Sequence, residues 1–303
     1  IQALLCAALH SLRTQRRRRG EQCSLSSSAW QCSNNSQTMQ QCPLTETGAY
    51  LTATTISAAY VASLYVLPKR IRKLPRDHPR HIYGRFAAVA LSSVFAVALY
   101  ARVADPRCLG VDGVAAALGL RLDGSTTAAL KGAACVAVLY LGTLAERLVL
   151  GAFTLPEINP QAWRNLVVGP VTEELCFRAC VLPLLIEAGI TRWRAVRRAP
   201  LVFGLAHVHH GRRRVVDDGV PLSHAVIETT VQFAYTSLFG AFASYSFCRT
   251  HRLSAPVAAH VLCNYLGLPA FACLRPGPLY DYRLAFVALH VAGIALFFTR
   301  SGW

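Results

Sequence analysis

Glu173, Glu174 and Arg178 sit inside a strongly apolar run, NLVVGPVTEELCFRACVLPLLIEA over residues 165–188. Ionisable side chains at membrane depth are costly, and those that persist there usually carry function. In a helix, residues four apart share a face about 6 Å apart along the axis, so Glu174 and Arg178 can pair. Glu173 then points about 100° away. Two carboxylates in unlike surroundings suit hydrolysis, one held ionised and the other able to take and return a proton.

Two further apolar runs carry polar residues at helical spacing. LVFGLAHVHH places Phe203 and His207 four apart, followed by His209 and His210, and HVLCNYLG places His260 and Asn264 four apart. A glutamate in a dry cavity acts as general base on a water. A neutral histidine orients that water, and a second histidine with a carboxamide donates to a developing oxyanion. The set points to peptide hydrolysis without a covalent intermediate. No serine lies in a G-x-S-x-G elbow, and Cys176, the thiol inside the stretch TEELCFR, has no base at a defined spacing. A metal-dependent peptidase is the main alternative, because His207, His209, His260 and a glutamate have the ligand types of a His-plus-carboxylate site. The HExxH signature does not occur. A bland alternative is a Glu/Arg pair that only ties helices together, in a non-catalytic scaffold.

The elements that must position these residues are membrane helices. The chain has 303 residues, 53% hydrophobic and only 15% charged, which argues against a soluble protein. A spanning helix needs about 20 apolar residues. Runs meeting or approaching that length fall at 47–67, 85–104, 133–151, 165–188, 199–210, 225–248, 255–273 and 284–299. The expected fold is all-α, a polytopic integral membrane protein of about eight embedded helices around a buried polar cavity, with the fifth run too short to span alone.

The net charge of +16 comes from short arginine clusters between apolar runs, without the interleaved aromatics of a single-strand reader, so nucleic acid is not an expected partner. Eleven scattered cysteines without a CxxC pair signal neither a disulfide framework nor a structural zinc site, and Cys176 and Cys180 read as small core residues. The first loop, PKRIRKLPRDHPRHIYGR, holds seven Lys or Arg where residues 39–50 hold none, which places that loop in the cytoplasm. Residues 1–38 are polar and low in complexity after a short apolar start, and are expected to be disordered or a non-native extension of a membrane domain spanning 39–303.

The motifs together resemble those of the type II CaaX prenyl proteases of the CPBP superfamily. TEELCFRAC is similar to the family's EExxxR motif, FGLAHVHH to its FxxxH motif and HVLCNYLG to its HxxxN motif, in the same order along the chain. LPRDHP and VQFAYTSLFGAFASY also look like the eukaryotic members. The resemblance implies a multi-pass protease of the endoplasmic reticulum membrane that removes the last three residues of farnesylated or geranylgeranylated CaaX proteins, such as Ras-like small GTPases. It implies Glu173 as general base, His207 as its partner on the water, and His260 with Asn264 as oxyanion hole. Glu174, Arg178 and Phe203 fall at the supporting motif positions. The resemblance implies no metal and no cofactor.

Overall fold

The computed structural model describes residues 44–109, 111, 113–205, 214–216 and 219–300. The extension expected at 1–38 lies outside the described residues. Where they are described, the apolar runs are mainly helical, though the run expected at 255–273 leaves the helix after Leu266: α1 (Glu46–Ser63), α2 (Pro79–Val103), α3 (Ser125–Leu139), α4 (Leu141–Val149), α5 (160–187), α6 (Arg192–Leu205), α7 (Leu222–Thr250), α8 (Ser254–Leu266) and α9 (Arg283–Arg300). Local signals start three of them. Thr45 Oγ1 accepts from Gly48 N ahead of α1, His78 Nδ1 from Arg80 N ahead of α2, and Asn159 Oδ1 from Ala162 N ahead of α5. Pro79 and Pro160 occupy first helical positions, where a missing N–H is harmless.

By length and composition, α2 and the stretch Tyr280–Thr299 can each cross a membrane as single helices. The pair α3–α4 qualifies jointly but bends by 76° at Tyr140, so the straight segment expected over 133–151 is a broken one. The surface pattern fits lipid. Leu51, Leu91, Val94, Leu130, Leu284 and Val291 are exposed, whereas Glu146, Glu174, Arg178, Glu187, His260 and His290 are buried. Large exposed apolar faces around a polar interior are the arrangement a bilayer solvent favours.

Packing between helices relies on small residues, which lets backbones approach where lipid supplies no hydrophobic drive. Ala128, Gly132 and Val136 form a buried stripe on α3, facing Ala255 and Ala259 of α8. A Cβ added at Gly132 would lie 2.1 Å from the Ala255 carbonyl oxygen, a backbone atom that cannot rotate away. Gly132→Ala is therefore expected to destabilise the protein by about 1–3 kcal/mol or more and to displace α8, read as a lower melting temperature together with lower activity. An unchanged melting temperature would show that the α3–α8 contact is looser than described.

α5 alternates between α-helical and wider π-helical turns, the latter at Arg164–Val168 and Leu175–Val181. Each wide stretch ends two residues before a proline, Pro170 and Pro183. A proline inside a helix has no N–H to donate, and its ring crowds the carbonyl four residues earlier, so widening the preceding turn relieves both problems. Glu173 and Glu174 lie on the short α-helical stretch between the two, Gly169–Glu174.

Candidate active site

The two adjacent glutamates receive opposite environments. The Glu174 side chain is fully buried, whereas that of Glu173 is 27% exposed. Arg178, itself 1% exposed, donates from Nη1 to Glu174 Oε1 at 3.1 Å, the pair expected from i,i+4 spacing. His260 of α8 completes the cluster. Its Nδ1 lies 2.7 Å from Glu174 Oε1, and its Nε2 lies 4.0 Å from Glu173 Oε2. An imidazole thus stands between the two carboxylates, bonded to the buried one and turned toward the accessible one. Because the Arg178 pairing marks Glu174 as a carboxylate, which only accepts, Nδ1 carries the proton in that bond.

Three neighbours shape the cluster, and spacing alone did not single them out. The Phe239 ring of α7 packs 5.8 Å from the Arg178 guanidinium carbon and 4.9 Å from the His260 ring, joining the two by cation–π and ring contacts. Gly240 leaves room for the guanidinium, since a Cβ there would meet Arg178 Nη2 at 3.1 Å. Tyr60 of α1 reaches Thr172 Oγ1 at 2.9 Å. Thr172 gives its only proton to the Val168 carbonyl at 2.7 Å, so Tyr60 is the donor and α1 is pinned beside Glu173.

Asn264 lies on the same side of α8 as His260, one turn on. Its Nδ2 donates to the Asn165 carbonyl at 2.8 Å, which pins the first wide turn of α5 to α8 and leaves the carboxamide its second N–H. The first loop reaches the same end of α5. Arg164 Nη1 donates to Asp77 Oδ1 at 2.7 Å and Gln161 Nε2 to the Asp77 carbonyl at 3.1 Å. The Arg164 hydrogen bond holds the Asp77 carboxyl below the usual carboxylate range. Its small contribution is present above about pH 4 and is lost as pH falls through the lowered value. The basic loop is thereby tied to the helix that carries the glutamates.

Of the residues singled out from sequence, the structure brings together Glu173, Glu174, Arg178 and His260, and sets Asn264 one helical turn away. Phe203 lies on α6, and only its backbone is described. His207, His209 and His210 lie outside the described residues, and with them most of the expected His-plus-carboxylate metal set. Cys176 is no nucleophile candidate in this geometry. It is fully buried, and its Sγ lies 3.7 Å from Ser93 Oγ on α2. Cys180 is buried as well, as a core residue should be.

These observations define a class: a helical membrane protein built around a buried Glu–Arg–His cluster with one accessible carboxylate. Residues 156–266, which include every residue of the three motifs, match the family described as type II CAAX prenyl endopeptidase Rce1-like. The chain is similar to human CAAX prenyl protease 2, with 32% identity over 267 residues, covering 80% of this chain and 76% of the relative. It is 31% identical to CAAX prenyl protease 2 of Arabidopsis thaliana over 73% of this chain and 80% of that one. It is 34% identical to the probable CAAX prenyl protease 2 of Schizosaccharomyces pombe over 73% and 81%. No solved structure matches the chain significantly. The chain belongs to the type II CaaX prenyl protease family and is, by that membership, a membrane protease.

Proposed function

We propose that this protein removes the C-terminal tripeptide from prenylated CaaX proteins, Ras-like small GTPases among them, with a water activated by Glu173. The observation that carries this reading is the unequal pair of glutamates bridged by His260. Glu173 is the accessible carboxylate, and a water within hydrogen-bond reach of both Glu173 Oε2 and His260 Nε2 fits their 4.0 Å separation. Glu173 takes a proton from this water as it attacks the scissile carbonyl and returns it to the leaving amine. His260 Nε2–H and the second amide N–H of Asn264 donate to the oxyanion. His207, by its place in the FxxxH-like motif, assists on the water.

The substrate's isoprenoid anchors it at lipid depth at about 0.8 kcal/mol per buried CH₂, so the enzyme meets its scissile bond within the membrane. An open apolar cavity of about 330 Å³, lined by Ser93, Val94, Val97, Ala98 and Ala101 of α2 and by Leu175 of α5, offers a surface for such a chain. We place the protein in the endoplasmic reticulum membrane with about eight embedded segments and the basic first loop on the cytoplasmic face, where it meets anionic lipid.

The test compares a farnesylated CaaX peptide with the same peptide lacking the prenyl group, using the full chain in membranes. Release of the tripeptide from the farnesylated peptide alone is the expected result, and Cys176→Ala is expected to cleave as the parent does. Equal cleavage of both peptides would remove the prenyl requirement. No cleavage by folded protein would overturn the reading as a whole.

A further inference from the structure

A second buried polar cluster lies among α4, α9 and the turn after α8, outside the three motifs. Glu146 on α4, Cys273 in the 3₁₀ turn Ala272–Leu274 and His290 on α9 are all buried, and their ligand atoms all lie within 4.8 Å of one another. We infer that Glu146, Cys273 and His290 form a binding site for a zinc-class divalent ion that ties the turn following α8 to α4 and α9.

The donor set is the first argument. A thiolate, an imidazole and a carboxylate are the ligand types that zinc and its first-row neighbours take, whereas calcium and magnesium call for oxygen donors. One thiolate and one carboxylate cancel the charge of a divalent ion, which suits a buried location. Water completes the tetrahedron.

Spacing is the second. His290 Nε2 lies 3.4 Å from Glu146 Oε1, long for a charge-assisted hydrogen bond at about 2.7–2.9 Å. Two ligands of one tetrahedral ion, each bonded at about 2.0–2.3 Å, stand about 3.3–3.8 Å apart. The observed separation falls in the second range.

Preorganisation is the third. Glu146 accepts from Cys273 N at 3.1 Å and from Ala272 N at 3.3 Å, the outer hydrogen bonds that orient a ligating carboxylate. The His290 ring lies against Gly142, where a Cβ would come within 2.4 Å of it, and 4.6 Å from the Phe271 ring. Phe271 holds a left-handed φ of 45°, which a non-glycine residue adopts at some cost and which here delivers the next two residues to Glu146. Beside Glu146, Arg147 donates from Nη2 to the Leu266 carbonyl at 2.8 Å, the last residue of α8. The proposed site thus lies next to a contact that holds the end of the helix carrying His260 and Asn264.

The experiment is a cobalt titration of the purified, chelator-stripped full chain. The expected result is a thiolate-to-cobalt charge-transfer band that saturates at one ion per chain and is displaced by zinc. Cys273→Ala and His290→Ala are expected to lose the band, whereas Cys263→Ala keeps it. Zinc is expected to raise the melting temperature of the parent and leave that of Cys273→Ala unmoved, a readout independent of hydrolysis. Absence of the band in folded parent protein, its persistence in Cys273→Ala, or equal stabilisation of both proteins would overturn the assignment and leave Glu146 as a carboxylate that merely caps a turn.

Discussion

Glu173→Gln is expected to lower kcat/KM on a prenylated CaaX peptide by about 10³-fold, within the range general acid–base catalysis contributes, while the melting temperature stays near that of the parent. The carboxamide keeps the shape of the side chain and removes the basic oxygen that takes the proton from water. The fold tolerates the change because Glu173 is partly exposed and its contact to His260, at 4.0 Å, is too long for a direct hydrogen bond. Steady-state cleavage and thermal unfolding of the same preparation check both halves of the expectation. A variant that cleaves at the parental rate would remove Glu173 from the role of base, and one that fails to fold would mean that its charge is structural.

Glu174→Gln should behave in the opposite way, losing about 3–5 kcal/mol of stability, the cost of removing one partner of a buried ion pair. The neighbouring glutamates differ because Glu174 is wholly buried and a single oxygen, Oε1, receives both Arg178 Nη1 and His260 Nδ1. Removing its charge leaves the 1%-exposed guanidinium facing a neutral amide and loosens the ring that faces Glu173. Activity falls too, through displacement of His260 and not through loss of the base. Combining Glu174→Gln with Arg178→Met isolates the pair, since the double variant is expected to be less destabilised than the two single changes added together. Unfolding in graded denaturant measures the coupling, and simple additivity would show that the pair contributes nothing beyond its separate residues.

What the sequence determined by itself was mostly local. Apolar runs and their breaks located the helices, because a bilayer demands long stretches of one solvent preference and helix starts carry their own capping residues, such as Asn159 ahead of Pro160. The Glu174–Arg178 pair was legible because both ends lie on one helix, where the 3.6-residue turn brings positions four apart together. The motif order also sufficed to recognise the family, since it depends only on residue types in sequence.

Tertiary packing decided the rest. That His260 bonds to Glu174 and not to Glu173 depends on how α8 docks against α5, while α3 packs on α8 through the close approach of Gly132 to the Ala255 carbonyl. Tyr60 and Phe239 reach the surroundings of the cluster from α1 and α7, and nothing in their local spacing marks them. The bend at Tyr140 was equally hidden, although it lets Gly142 and Glu146 meet α9, and with them the second buried cluster. Spacing along one helix reports only on that helix; contacts between helices far apart in sequence are set by which small residues let the backbones close and which polar groups must find one another in a medium that offers no water.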